Sequence, residues 1–380
     1  MRIYLDHAAT TPLSGAARVA MAPWWADGVA ANASSVHRSG QRARAAVEAA
    51  RERVAAAIGA APSELVFTSG ATEADALAIL GTLDGAPPDA ALVVSAAEHA
   101  AVVQVAAREE RRGRPVVRLA PGPEGAPTPA QLDRTLGDLD RPAGLVAVMH
   151  TNNETGALAD VPGLAEVAHA HGTALLCDAV QAFGYAELHA RRTGADLIAL
   201  SSHKIGGPQG VGALWIRDGH PLVPQAIGGA QERGRRAGTQ PVAVIVGFGA
   251  AAEEAGRDVA ARAERTARLR DRLEARVLAL PGVHRNGTGP RGPKHLNVRV
   301  EGVDGEALLI ALDAVGVEVS AGSACSAGSL EPSHVLIAMG LSRDEARASL
   351  RFSLAPSLSE DQVDVAAERV SATLARLRSG

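Results

Sequence analysis

Cysteine is almost missing: 380 residues hold two, Cys177 and Cys325. Neither belongs to a CxxC pair or to a Cys/His spacing of the zinc type, which excludes a disulfide framework and leaves no metal site to expect. A reducing compartment, the cytoplasm, fits that usage. Aromatic residues make up only 2%, so alanine, valine and leucine must fill the core. No apolar run reaches about 18 residues, which excludes a membrane-spanning helix. The first residues, Met1-Arg-Ile-Tyr-Leu-Asp6, carry no apolar signal core. A basic excess is lacking as well, since the net charge is -4. Arg233, Arg235 and Arg236 form the nearest thing to a basic cluster, too small for a nucleic-acid groove, so no direct nucleic-acid partner is expected.

What is present describes a folded protein, with 47% hydrophobic and 21% charged residues. The length predicts two domains. Apolar runs predict seven strands at 65–68, 91–95, 116–119, 144–150, 174–177, 197–200 and 211–216. Helical stretches lie between most of them, at 71–80, 100–112, 129–136 and 164–171, with another at 41–58. Continuous apolar strands alternating with helices predict an α/β domain whose mostly parallel sheet is covered on both faces. Only about ten residues join the last two strands, too few for a helical crossover, so that pair should be antiparallel. A long charged helix over 257–280 then leads to a small α+β domain. Its strands are expected at 295–300, 317–320 and 349–354, its helices at 305–315, 332–339 and 360–377, with Asp304 as an N-cap. Residues 15–256 are read as the large domain, and 1–14 with 257–380 as the small one.

Four strand ends carry chemistry. They are Glu98-His99, His150-Thr-Asn-Asn-Glu-Thr-Gly156, Cys177-Asp178-Ala-Val-Gln181 and Ser201-Ser-His-Lys204. Open α/β sheets place their sites at the carboxyl edge of the strands. A desolvated lysine there can form a Schiff base. An aspartate closing an apolar strand needs a cation, and a pyridinium nitrogen is one. The Thr68-Ser-Gly-Ala-Thr72 turn opens a helix and suits a phosphate. Taken singly, Asp178 could be a cap, His99 a strand-end histidine, Asn153 a turn residue and the Thr72 turn an ordinary N-cap.

Together they resemble the group I (NifS/IscS-like) cysteine desulfurases of the fold-type I pyridoxal phosphate superfamily. The likeness runs nearly end to end. It is carried by Tyr4-Leu-Asp-His-Ala-Ala-Thr-Thr-Pro12, Ser34-Ser-Val-His37, Thr68-Ser-Gly-Ala-Thr-Glu73, Asn152-Asn-Glu154, Asp178 with Gln181, and Ser202-His-Lys204. It continues through Gln231-Glu-Arg-Gly234, Gly238-Thr239, Gly322-Ser-Ala-Cys325 and Arg351-Phe-Ser-Leu354. The resemblance implies pyridoxal 5'-phosphate held through its aldehyde by Lys204. Asp178 would face the ring nitrogen, His99 would stack on the ring and move protons, and Asn153 and Gln181 would lie near the ring oxygen. Ala71, Thr72, Ser201 and His203 would bind the phosphate, and Thr239 would reach the phosphate of a partner subunit in a homodimer. Asn153 and Arg351 would bind the substrate, L-cysteine, Arg351 through its carboxylate.

Cys325 sits in ten residues of only Ser, Ala, Gly and Cys, 320–329, a composition expected to be exposed and mobile. Cys177, beside Leu175-Leu176, is expected to be inert core. The resemblance implies that the Cys325 thiolate takes the substrate's sulfur as a persulfide, leaves alanine, and passes the sulfur to an iron–sulfur scaffold or a tRNA-thiolation protein. A selenocysteine lyase or related lyase is the rival on the same scaffold. Ala33, Ala76 and Ala237 depart from residues common in the family, none at an implied catalytic position. The chain stops at Gly380, so the resemblance does not extend to a longer scaffold-docking tail.

Overall fold

The computed structural model describes residues 2–321 and 331–379. The chain opens with β1 (Ile3–Tyr4), which does not join the main sheet. That sheet is built from β2 (Leu65–Thr68), β3 (Ala91–Ser95), β4 (Val116–Leu119), β5 (Ala143–Met149), β6 (Ala174–Asp178), β7 (Leu197–Ser201) and β8 (Gly212–Ile216), in the order β2-β8-β7-β6-β5-β3-β4. All seven strands expected from the sequence are therefore in one sheet. The β7–β8 pair is antiparallel, as the short connection requires. So is β8–β2, and the two reversals bring β2 back to the direction of β7.

Helices α1 (Gly15–Met21), α2 (Arg38–Ala56), α3 (Ala71–Leu83), α4 (Ala100–Arg111), α5 (Pro129–Gly137), α6 (Val161–Ala170) and α7 (Val242–Gly256) cover the two faces. Successive strand residues point to opposite faces, so each continuous apolar run serves two cores. Val93, Val146, Val148, Leu175, Ile198 and Trp215 pack with α2, α5, α6 and α7. Leu92, Val94, Leu145, Leu176, Leu197 and Leu214 pack with α3 and α4. Burial of each such side chain contributes roughly 1.5–3 kcal/mol relative to exposure.

Helix α7 was not foreseen. Its sequence is apolar nearly all round and interrupted by glycine, so it shows no amphipathic stripe. The glycines serve close packing: a Cβ on Gly249 would lie 2.7 Å from the Cα of Ala50 in α2. Helix α2 starts ahead of the expected Gln41, because the His37 ring accepts a bond from the Gly40 N–H and caps it.

The charged helix α8 (Val259–Leu278) follows, begun by Asp258, which accepts from Ala261 N. Strands β9 (Val283–Arg285), β10 (His295–Val300), β11 (Val317–Glu318) and β12 (Ser349–Ser353) come next, with α9 (Gly305–Ala314), α10 (His334–Ala338), α11 (Arg343–Arg347) and α12 (Glu360–Ser379). Asp304 caps α9 as expected. Antiparallel β12-β10-β9 forms a small sheet, and β1 pairs in parallel with β11. Ile3 and Leu5 thereby join a separate core with Leu273, Leu296, Phe352 and Val370. The N-terminal arm is thus a strand anchored more than 300 residues away, a pairing that no local pattern signals.

Candidate active site

Because β3, β5, β6 and β7 are parallel, their carboxyl ends share one edge, with β2 beside them. A cavity of about 780 Å³ opens there, within the usual size of small-ligand sites. Its lining includes Ala71, Thr72, His99, Asn153, Asp178, Gln181, Ser201, His203, Lys204 and Arg351. The structure therefore gathers ten of the twelve site residues read from the sequence. Thr239 does not line this cavity; it is exposed, beside a smaller pocket shared with Ser69 and Arg236. Cys325 lies outside the described residues. The chain entering its segment is tied at Ser320, which exchanges backbone hydrogen bonds with Arg351, and Glu331 and Pro332 beyond it line the cavity.

Lys204 ends a single 3-10 turn that follows β7 directly. Its Nζ donates to the carbonyls of Ala8 and Ala9 at 2.6 and 2.7 Å. The arm before the first helix therefore forms one wall of the site. Thr10 shares a 3.0 Å hydrogen bond with the His203 ring, and Thr11 Oγ1 donates to the His203 carbonyl. Burial lowers the His203 imidazole to about 4, so it is neutral at physiological pH. The sequence signal for this wall was the dense polar run Asp6–Pro12, which periodicity does not interpret.

Asp178 closes β6 beneath the cavity, and its Oδ1 accepts from Val180 N at 2.9 Å. Burial pushes its carboxyl up, opposed by that bond and by His99 and Lys204 nearby. His99 caps α4, with Nδ1 accepting from Ala101 N at 3.1 Å. That bond leaves the proton on Nε2 of the neutral ring. Burial lowers this imidazole, and Asp178 works the other way.

Helix α3 has no side-chain cap at Gly70, so its first-turn N–H groups remain available to an anion. Glu73 in that turn would repel a phosphate. Its carboxylate instead accepts from Ser69 N at 2.6 Å and pairs with Arg236 at 2.7 Å. Burial opposes ionisation of Glu73, but these bonds outweigh it and lower its carboxyl.

Arg351 is 1% exposed. It donates to Asp6 Oδ1 at 2.7 Å and to the Asn153 carbonyl at 2.8 Å, while its Nε lacks a partner among the described residues. Asp6 was not singled out from the sequence: it lies 345 positions from Arg351. The Asn153 Oδ1 and Gln181 Oε1 atoms are likewise buried without a donor, although Gln181 Nε2 donates to Ala8 O. His334, also missed, lines the cavity and contacts the Glu98 carbonyl at 2.9 Å.

These groups fit pyridoxal 5'-phosphate: an uncapped helix start for the phosphate, a buried acid for the ring nitrogen, an amine for the aldehyde and orphaned acceptors between. The class-V aminotransferase family model matches residues 3–365. A cysteine desulfurase of Enterobacter agglomerans is 41% identical over 99% of this chain and 94% of its own. An IscS-like cysteine desulfurase of Mycobacterium tuberculosis is 42% identical over 99% and 97%. The X-ray structure of a NifS-like protein from Rickettsia africae superposes with a TM-score of 0.89 at 27% identity, covering 99% of this chain and all of the other. The chain belongs to the class-V aminotransferase family of pyridoxal phosphate enzymes and, within it, to the cysteine desulfurases.

Proposed function

We propose that this enzyme converts L-cysteine to L-alanine while Cys325 takes up the sulfur, with Lys204, Asp178, His99 and Arg351 in the roles their positions suit. The observation that carries the reading is the convergence of those four described residues on one cavity. Thr72 and the first-turn amides of α3 hold the phosphate, with Ala71, Ser201 and His203 beside them. Lys204 holds the aldehyde and Asp178 the ring nitrogen. Bound in this way, the cofactor supplies an electron sink that makes the substrate's Cα proton removable.

The protein's own residues do the rest. Arg351 binds the substrate carboxylate, sharing its guanidinium between that anion and Asp6. Asn153 and Gln181 offer their unpartnered oxygens to the bound molecules. His99, with its proton on Nε2, relays protons at the substrate. The Cys325 thiolate attacks the substrate sulfur, so an S–S bond forms as the C–S bond breaks. The proton released by the thiol is returned at the carbon skeleton, and the balance is L-cysteine plus thiol to L-alanine plus persulfide.

A homodimer is part of the proposal. Thr239 is exposed on the same glycine-rich loop as Ile227, which is 92% exposed. An apolar side chain so placed is suited to burial against a second copy, where Thr239 would reach the partner's phosphate. An iron–sulfur scaffold or a tRNA-thiolation protein is the proposed acceptor, and the cytoplasm the proposed compartment. Among the described residues no helix is long and apolar enough to cross a membrane.

The test is intact-mass and peptide analysis after brief exposure to L-cysteine without reductant. One added sulfur on the Cys325 peptide, absent from Cys325→Ala, is the expected result. A cofactor-loaded protein that gains no sulfur would refute the desulfurase reading and turn attention to selenocysteine.

A further inference from the structure

Asp75 is among the titratable side chains of the cavity that have no task in that scheme. It stands in the second turn of α3, is 1% exposed and lines the same cavity as Asp178 and Lys204. Both of its carboxyl oxygens lack a hydrogen-bond donor among the described residues. Glu98, three residues beyond β3, is fully buried. Its Oε1 accepts from Met149 N at 2.8 Å, and its Oε2 has no donor among the described residues. Met149 is the register partner of Asp178, so the Glu98 carboxyl is bonded to the strand beside the one that carries Asp178.

Three buried carboxyls thus meet under the cavity. Asp178 comes from β6, Glu98 from beyond β3 and Asp75 from α3; His99 and Lys204 lie near Asp178. The other main-sheet strands packed against α3, namely β2, β5, β7 and β8, carry no charged residue, and α4 has its charges only at Arg108–Arg111. A buried carboxyl with neither a donor nor an adjacent cation takes its neutral form. Burial, then Asp178, push both Asp75 and Glu98 well up; the Met149 N–H opposes this at Glu98, whereas Asp178 has the Val180 N–H together with His99 and Lys204 opposing the same push.

We propose that Asp75 is a neutral acid of the site: it remains protonated beside Asp178, as does Glu98, so the cluster's one negative charge rests on Asp178. This inference rests on the reading of Asp178 as the partner of the ring nitrogen. Ionised Asp75 would set a second negative charge against the first and raise the protonation of Asp178 itself. Neutral Asp75 leaves Asp178 as the group that pairs with a pyridinium.

The folded protein then holds protons that the unfolded chain releases. A carboxyl raised in the folded state favours folding least at high pH, so stability is lost as pH rises from the ordinary carboxylate range toward the raised value. The experiment compares thermal unfolding of cofactor-free wild type and Asp75→Asn between about pH 5.5 and pH 8.5. The expected result is a gain in melting temperature for Asp75→Asn that grows with pH to several degrees. Parallel curves, or a variant less stable at every pH, overturn the proposal, because they mean the carboxylate is an accepted ion in the fold. If Asp75→Asn yields no folded protein, Glu98→Gln is measured instead: its oxygen can still accept from Met149 N, and the same pH-dependent gain is expected.

A second measurement takes the dissociation constant of pyridoxal 5'-phosphate by equilibrium dialysis at neutral pH. Asp75→Asn should stay within about threefold of wild type, and a loss beyond about tenfold would mean that Asp75 itself carries the charge, overturning the proposal. Unchanged affinity in Asp178→Asn would sink the reading of Asp178 and this proposal with it, while the persulfide result on Cys325 would stand apart. The two failures are therefore distinguishable.

Discussion

Replacing Lys204 with alanine is expected to lower alanine formation from L-cysteine by about a thousandfold or more. The Lys204 Nζ is held by the carbonyls of Ala8 and Ala9, and the adjacent His203 is engaged by Thr10. Lys204→Arg should be nearly as damaging, since a guanidinium stays charged and is a poor nucleophile. Borohydride treatment followed by peptide mass analysis provides a check independent of rate. Wild type should retain the cofactor on the Lys204 peptide, and neither variant should. Retention on a different lysine in Lys204→Ala would show that the assignment is wrong.

Breaking the Arg51–Glu232 pair is expected to destabilise the fold by about 3–5 kcal/mol, the range for stranding a buried charge. The side chains are 2% and 1% exposed. Glu232 accepts from Arg51 at 2.6 and 3.0 Å, from Phe67 N at 2.9 Å and from Gln240 Nε2. The Arg51 guanidinium also lies 4.7 Å from the centroid of the Phe67 ring. Glu232 and Arg233 both take the left-handed backbone region, at φ 47° and 58°, a strain that these contacts must hold in place. Glu232→Ala removes the acceptor and leaves Arg51, among the described residues, with Glu48, the Leu65 carbonyl and the Phe67 ring.

The loop that carries Arg236 and Thr239 is tethered to β2 by this pair, so function should fall with stability. Denaturant unfolding of Glu232→Ala should show the loss, and sedimentation should show a weakening of the proposed dimer at the same temperature. A double replacement, Arg51→Met with Glu232→Leu, should recover much of the stability, because no charge is then left buried. It should not recover the dimer if the left-handed turn itself presents Thr239. A single variant with wild-type stability would show that water reaches the pair.

Local pattern determined a great deal of this protein. The seven strands and most helices follow from apolar runs of strand or helix length, since burial on both faces of a sheet demands uninterrupted apolar residues. Asp178, His99 and Lys204 were legible for the same reason: each is the polar residue that ends or closely follows an apolar strand, and parallel strands bring their ends to one edge. Thr72 was legible as a helix start.

Tertiary structure alone decided what depends on meeting across the chain. Ile3 and Leu5 belong to a core made mostly by residues beyond 260, and a two-residue strand has no period of its own to read. Asp6 partners Arg351 across 345 positions. Asp75 occupies an ordinary helix position, and only burial beside Asp178 and Glu98 makes its carboxyl a neutral acid. Glu232 looks like a loop residue and is instead a buried anion in a left-handed turn. Backbone propensity acts over a few residues and is written in their order. Desolvation and charge pairing depend on which distant groups share a dry volume, and only the folded chain defines that volume.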